Sequence, residues 1–135
     1  MLNISKKIGT QAEKFACHYL KTQGLSLITR NYACRFGEID LIMQDKESLV
    51  FIEVRFRRDP HFGHSIETVD TVKQNKLIKT AEYYLQYHSL LDAISCRFDV
   101  LGVSPSTKPK KWFEKRNTSQ YYSAQVEWVK NAFSR

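Results

Sequence analysis

Two neighbouring segments of the 135-residue chain, residues 38–43 and 49–57, alternate apolar and polar side chains with the two-residue period of a β-strand. Only residues 44–47 separate them, and this stretch is polar enough for a tight connection. The two segments are therefore predicted to form a β-hairpin, around which the rest of the chain has to be arranged.

The alternation assigns each side chain of the hairpin to one face. The more apolar faces are predicted to consist of Ile39, Leu41 and Met43 in the first strand and Val50, Ile52, Val54 and Phe56 in the second. Asp40 and Glu53 fall on the less apolar faces. Hairpin pairing is expected to bring these two carboxylates side by side.

The flanking segments add two helices and further strands. Apolar residues recur at helical spacing in residues 10–23, where Thr10 and Glu13 match a capping box and Gly24 a C-terminal cap. A second helix is predicted from about residue 70 to 88, with an inner stripe of Leu77, Ala81, Tyr84, Leu85 and His88. The other predictions are strands at 25–31 and 95–103, a loop at 58–68 and an edge strand at 125–129. The sequence thus predicts a single α/β domain over residues 1–135 with the core order α-β-β-β-α-β.

The chain is basic, with 21 Lys and Arg residues against 14 Asp and Glu residues and a formal net charge of +7. Such an excess favours a polyanionic partner, although it also serves solubility alone. Residues 104–120 carry five basic residues and one acidic residue, and they are predicted to be a flexible basic insertion.

Cysteine usage and hydropathy indicate the cellular compartment. The three cysteines have no C-x-x-C spacing and are predicted to be reduced thiols. No signal peptide is apparent, and no apolar run approaches the roughly 20 residues that a membrane helix needs. We therefore expect a cytoplasmic protein without a membrane partner.

Asp40 and Glu53 have two interpretations. Converging carboxylates repel each other and lose hydration, a cost that a hard divalent cation such as Mg²⁺ or Mn²⁺ removes. Such an ion activates water and stabilises charge on a phosphate under attack. Alternatively, both side chains are solvated, and Glu53 forms an ordinary surface ion pair with Arg55 or Arg57.

The hairpin segments Gly37-Glu-Ile-Asp40-Leu-Ile and Val50-Phe-Ile-Glu53-Val-Arg55-Phe-Arg57 resemble the signature of the YraN-like family of uncharacterised proteins. The resemblance extends over residues 9–13, 62–63, 69–73, 97–100 and 131–133. The family is related to the PD-(D/E)XK nuclease superfamily and, more distantly, to archaeal Holliday junction resolvases. The resemblance implies a restriction-endonuclease-like fold, a mixed sheet flanked by helices.

The resemblance also implies residue roles. Asp40 matches the metal-binding aspartate, Glu53 the acidic residue of the (D/E)-x-K element, and Glu13 a helix glutamate that completes the metal site in resolvase-like members. For Glu13 the capping box with Thr10 is the alternative role. Arg55 stands where that element has lysine, so it can stabilise charge at the phosphate but cannot readily act as a general base.

From these observations we expect a Mg²⁺- or Mn²⁺-dependent endonuclease that hydrolyses phosphodiester bonds in duplex or branched DNA. Symmetric cutting by resolvases implies a possible homodimer. The residues predicted to contact nucleic acid are Arg57, Arg58, Lys73, Gln74, Lys76, Lys110 and Lys111. Two alternatives stay open: a catalytically impaired nucleic-acid-binding module on the same scaffold, and a protein-interaction domain with an incidental carboxylate pair.

Overall fold

The described part of the chain, residues 4–57, 69–105 and 124–135 of a computed structural model, contains two helices and five strands. In chain order they are α1 (Ile4–Thr22), β1 (Ser26–Cys34), β2 (Gly37–Asp45), β3 (Ser48–Phe56), α2 (Thr71–Tyr87), β4 (Cys96–Pro105) and β5 (Ala124–Phe133). This confirms the predicted order α-β-β-β-α-β and the final edge strand. Most strands extend a few residues beyond their predicted ends.

The five strands form one mixed sheet in the order β1-β2-β3-β4-β5. Only β3 and β4 run parallel, because α2 connects them, whereas the other neighbours are antiparallel. The predicted mixed α/β architecture is confirmed. Ser104 and Pro105 still pair with β5, so the proposed insertion cannot begin at residue 104. Residues 106–120 and the predicted loop at 58–68 lie outside the described residues.

The two helices cover opposite faces of the sheet. Val50 and Ile52 of β3 pack in a core cluster with Ala16 and Leu20 of α1. Their neighbour Phe51 packs on the other face with Leu77, Ala81 and other residues of α2. The alternation read from β3 is therefore confirmed.

The face predicted for Ile39 was wrong. Leu41 and Met43 pack on the α1 side, as expected, but Ile39 packs on the α2 side with Ile42. The two-residue alternation of β2 therefore breaks at Asp40. Asn31 lies opposite this break in β1 and has a left-handed backbone with φ 51°. A period read from one strand cannot detect such a break, because it depends on pairing with other strands.

Caps are identified at the end of α1 and at the start of α2. α1 ends in a Schellman motif, in which Leu25 N–H donates to Leu20 O at 3.1 Å and Gly24, with φ 101°, takes the left-handed position. The Gly24 cap is thus confirmed. Asp70 caps α2, since its Oδ1 accepts a hydrogen bond from Lys73 N at 2.8 Å.

Two helix predictions were wrong. α1 begins at Ile4, six residues before Thr10, so Thr10 lies in the helix interior and cannot form a capping box with Glu13. His88 is exposed as the C-terminal cap of α2 rather than part of its inner stripe. The other four predicted stripe residues are buried.

A buried carboxylate joins β4 to its neighbours. Asp99 is fully buried and accepts hydrogen bonds from Arg97 Nε at 3.0 Å, Trp128 Nε1 at 3.0 Å and Asn131 N at 2.9 Å. Arg97 NH1 also lies 3.0 Å from Asp45 Oδ2 at the end of β2. This network ties the edge strand β5 to the sheet, so the Asp99 side chain has a structural role.

Candidate functional site

The hairpin strands separate at Asp40. Backbone pairing between β2 and β3 runs from Asp45 and Ser48 to Leu41 and Ile52, where it ends. Beyond this point the Val54 N–H donates to Asp40 Oδ2 at 2.8 Å. The carboxylate thus occupies the place of a backbone acceptor and is held rigidly at the fork between the strands.

Glu53 lies beside this fork and is accompanied by two cations. Its side chain is only 6 % exposed, and Oε1 lies 3.6 Å from Arg55 NH1 and 3.7 Å from Lys73 Nζ. Lys73 reaches the site because the Asp70 cap places it in the first turn of α2. A surface ion pair with Arg55 alone, one of the two interpretations, does not describe this buried arrangement.

Glu13 completes the group from the opposite helix. It is half-buried on α1, and its carboxyl hydrogen-bonds to the Asp40 side chain. Because α1 begins before Thr10, Glu13 forms no capping box with it and instead contacts Asp40. Asp40 thus interacts with Glu13 from α1 and with Glu53 from β3.

Burial and mutual repulsion disfavour the charged forms of these carboxylates. Burial and, after it, the charge of Asp40 raise the pKa of Glu53 to about 7, although Lys73 and Arg55 act against the rise. Burial and then Asp40 also raise the pKa of Glu13 to about 7. Burial raises the pKa of Asp40 too, but the Val54 N–H and Glu13 both favour its charged form. With its pKa near 7, Glu13 is protonated below neutral pH, and in that form its carboxyl donates a hydrogen bond to Asp40.

The donor set suits a hard cation, although the side chains are not arranged around one. Carboxylate oxygens are the ligands that Mg²⁺ and Mn²⁺ prefer. Within residues 4–57, 69–105 and 124–135, no three His, Cys, Asp or Glu side chains are already placed to hold a metal ion. Glu53 is instead directed at Lys73 and Arg55, and Glu13 at Asp40.

The residues predicted to contact nucleic acid fall in different places. Lys73 belongs to the carboxylate site, a location that its helical spacing with Lys76 did not indicate. Gln74 donates from Nε2 to Val69 O at 2.9 Å, so it braces the start of α2. Lys76 is exposed on α2, and Arg57 is half-buried just after β3. Arg58, Lys110 and Lys111 lie outside the described residues.

Among the described residues, no helix is long and apolar enough to cross a membrane. Cys17, Cys34 and Cys96 are free thiols, as predicted, but only Cys17 is buried.

The chain is similar to proteins from several bacteria. The model of the uncharacterised protein family UPF0102 matches residues 12–103, which include Glu13, Asp40, Glu53 and Lys73. A UPF0102 protein of Coxiella burnetii (strain RSA 331 / Henzerling II) is 49% identical over 98% of this chain and 96% of its own length. A UPF0102 protein of Nitrosococcus oceani is 46% identical over 93% of this chain and 90% of its own length. The chain belongs to the uncharacterised protein family UPF0102, the YraN-like family.

Proposed function

We propose that this protein is a metal-dependent nuclease that hydrolyses phosphodiester bonds in DNA. The observation that carries the proposal is the convergence of Glu13, Asp40 and Glu53 at the fork between β2 and β3, next to Lys73 and Arg55. Carboxylates beside cations at one point provide both a site for a divalent ion and a site for a phosphate.

The burial of the group supports a functional role over an incidental one. Carboxylates that serve only solubility stay in water, whereas Glu53 is 5 % exposed and faces a second acidic side chain. Such an arrangement raises the free energy of the metal-free protein at neutral pH. Perturbed carboxylates in a cluster are typical of functional sites.

Glu13, Asp40 and Glu53 would hold Mg²⁺ or Mn²⁺, which supplies an activated water and neutralises charge on the phosphate when it is bound. The protein's own contribution is positional. Val54 N–H fixes the orientation of Asp40, and Lys73 and Arg55 fix that of Glu53. Both cations then lie where they can pair with the phosphate of a substrate.

Lys73 and Arg55 differ in what they can do at that phosphate. The guanidinium of Arg55 stays charged, so it orients the phosphate and stabilises negative charge. Lys73 can also release a proton and thus supplies the property that Arg55 lacks. We propose that Lys73 performs the proton transfer that the lysine of the (D/E)-x-K element would otherwise perform.

DNA as the substrate is supported by charge and by resemblance. The net charge of +7 attracts a polyanion, and Lys76 is exposed on the helix that also carries Lys73. The sequence resemblance to PD-(D/E)XK nucleases points to the same substrate class. Preference for branched DNA and a homodimer are implied by that resemblance alone.

A second candidate is a nucleic-acid-binding module that has lost efficient chemistry. The presence of Arg55 favours this candidate. Arginine stands here in place of the lysine of the (D/E)-x-K element, so β3 lacks one group that could transfer a proton. The substitution Arg55→Lys distinguishes this candidate from the nuclease, because a large gain of cleavage would identify the natural protein as catalytically impaired.

Cleavage of linear, flapped and four-way-junction DNA by the full chain with Mg²⁺ or Mn²⁺ tests the proposal directly. We expect Glu53→Gln to abolish cleavage, because it replaces a charged ligand with a neutral side chain of the same shape. Glu47→Gln is the matched control, since Glu47 is exposed in the turn between β2 and β3 and loses the same charge. Cleavage at full rate in the Glu53→Gln protein would refute the proposed site.

A further inference from the structure

The outer face of α2 carries an exposed stripe that the carboxylate site does not use. Lys76, Lys79, Tyr83 and Tyr87 follow one another at intervals of three or four residues, so they line one side of the helix. All four are exposed, Tyr83 by 37 % and Tyr87 by 75 %. The stripe therefore presents two cations, followed by two aromatic rings, to the solvent.

The turn between β1 and β2 adds the half-buried ring of Phe36 and the exposed cation of Arg35 beside this stripe. The ring of Phe36 lies 6.2 Å from that of Tyr83 at an interplanar angle of 63°. The guanidinium carbon of Arg35 stands 4.8 Å from the centroid of the Phe36 ring. We call Arg35, Phe36 and Tyr83 the aromatic platform.

The platform is held in place by close backbone packing. Gly37, which follows Phe36, has φ 152°, and a Cβ atom there would lie 3.2 Å from Thr80 Oγ1. The turn thus rests directly on α2, and only glycine permits this approach without displacement. Phe36 is the residue before this contact, and its ring packs against that of Tyr83.

We propose that the aromatic platform stacks on unpaired bases of the nucleic acid whose phosphodiester is cleaved at the carboxylate site. The proposal rests on the function proposed above and names its substrate class: DNA with a single-stranded segment beside the scissile bond. Exposed aromatic rings stack on bases, while adjacent cations hold the phosphates.

The spacing between the two sites supports one continuous ligand. Lys73 at the carboxylate site and Tyr83 on the platform are ten residues apart on α2, or about 15 Å along the helix. Lys76 and Lys79 lie between them and can pair with phosphates along this path. Since a duplex rises about 3.4 Å along its axis for each nucleotide of one strand, the distance corresponds to roughly four nucleotides, and to fewer in an extended strand.

Charge complementarity distinguishes this ligand from an apolar protein partner. Arg35, Lys76 and Lys79 surround the rings, so a covering surface has to be anionic as well as planar. Unpaired nucleotides meet both conditions, because each has a π face and a phosphate. A second copy of this chain, with the same positive stripe, would be repelled.

The test measures binding of flapped DNA and of blunt duplex to the full chain, with a chelator present so that no cleavage occurs. We expect Tyr83→Leu to weaken flap binding about 5- to 30-fold, because stacking is lost, and to leave duplex binding unchanged. Tyr83→Phe keeps the ring and should bind the flap as the unmodified protein does. An equal loss on both DNAs, or no loss on the flap, would overturn the proposal.

A fluorescent base analogue in the flap gives a second readout that needs no variant. Stacking on Phe36 or Tyr83 should change its fluorescence in the unmodified protein, and the same analogue inside the duplex should give no change. If the flap analogue is unaffected at saturating protein, the platform does not contact bases. If the protein self-associates instead of binding DNA, the proposed ligand is likewise wrong.

Failure of this inference is distinguishable from failure of the proposed nuclease. Asp40→Asn should abolish cleavage but leave the Tyr83-dependent binding of flaps intact, because Asp40 is not on the platform. Cleavage that depends on Asp40 but binding that ignores Tyr83 would refute the platform only. Tyr83-dependent binding without any cleavage would support the platform and refute the nuclease.

Discussion

The backbone N–H of Val54 donates a 2.8 Å hydrogen bond to the side chain of Asp40, where strand pairing between β2 and β3 has stopped. A side chain that replaces a backbone acceptor can be present only where the strands have moved apart. The separation opens the edge of the hairpin to Glu13 from one helix and to Lys73 from the other. The site thus depends on a local interruption of the sheet.

The metal-free protein should lose stability as the pH rises. Glu53 has a folded pKa of about 7 against an ordinary value of 4.5, so between these values the folded state holds a proton that the unfolded state has released. Stability should therefore fall from pH 4.5 to pH 7, with a Glu53 contribution on the order of 2 kcal/mol. Urea unfolding at pH 5 and pH 8 in a chelator measures this change.

The Glu53→Gln protein isolates the contribution of that side chain. A neutral amide does not titrate, so the variant should gain stability over the unmodified protein at pH 8 and show little difference at pH 5. Glu47→Gln, an exposed change of the same kind, should leave the pH profile as it is. A larger gain at pH 5 than at pH 8 would show that burial of the Glu53 charge, with repulsion by Asp40, is not the cause.

Binding of a divalent metal ion should restore the stability that the metal-free protein loses as the pH rises. Mn²⁺ or Mg²⁺ that binds only the folded protein raises its melting temperature, and saturation at 100 times the Kd adds about 2.7 kcal/mol. Because Glu13 and Glu53 must release protons, the rise should be larger at pH 8 than at pH 6. Asp40→Asn should remove most of it while keeping an oxygen acceptor for Val54 N–H. An unchanged rise in this variant would place the metal elsewhere.

Much of this site was predictable from the sequence because a hairpin has few registers. The short connection and the alternation put Asp40 and Glu53 side by side on the less apolar faces of the predicted hairpin without knowledge of the other elements. The break at Asp40 and the position of Ile39 were not predictable, since they depend on β1 and on the packing of both helices. Local periodicity carries no information about such distant contacts.

The roles of Glu13 and Lys73 likewise could not be predicted from local sequence patterns. The capping-box pattern of Thr10 and Glu13 is correct in spacing, but the helix starts earlier, so the local pattern is outweighed by a longer helix. The spacing of Lys73 and Lys76 indicated a solvated or phosphate-binding face. Only the tertiary position of α2 over β3 brings Lys73 to Glu53.

Asp99 should be the carboxylate on which stability depends most. Its removal in Asp99→Ala leaves the half-buried charge of Arg97 with Asp45 as its partner among the described residues, and it breaks contacts to Trp128 and Asn131. Loss of one partner of such a buried network costs about 3–5 kcal/mol. Chemical denaturation measures the loss, with exposed Glu47→Ala as the control. A change below 1 kcal/mol would mean that Asp99 does not hold β5 to the sheet.

Arg55 and Lys73, the two cations beside Glu53, are predicted to have different roles in the reaction. Arg55 NH1 and Lys73 Nζ lie at nearly equal distances from Glu53 Oε1, but only the lysine can give up a proton. Lys73→Gln should lower the cleavage rate about 100-fold, the usual worth of a proton-transfer group. Lys73→Arg keeps the charge but not the removable proton, so it should restore DNA affinity without restoring the rate.

Arg55→Lys should preserve or raise cleavage, because it returns a removable proton to β3 and keeps the positive charge. A large gain, together with a natural rate near zero, would identify the protein as the impaired module instead of a working nuclease. A modest gain that disappears in the double variant with Lys73→Gln would show that Lys73 supplies the function. Single-turnover rates across pH separate chemistry from binding. If Lys73→Gln cleaves at the full rate at every pH, Lys73 serves only to hold Glu53, and its proposed part in the reaction is wrong.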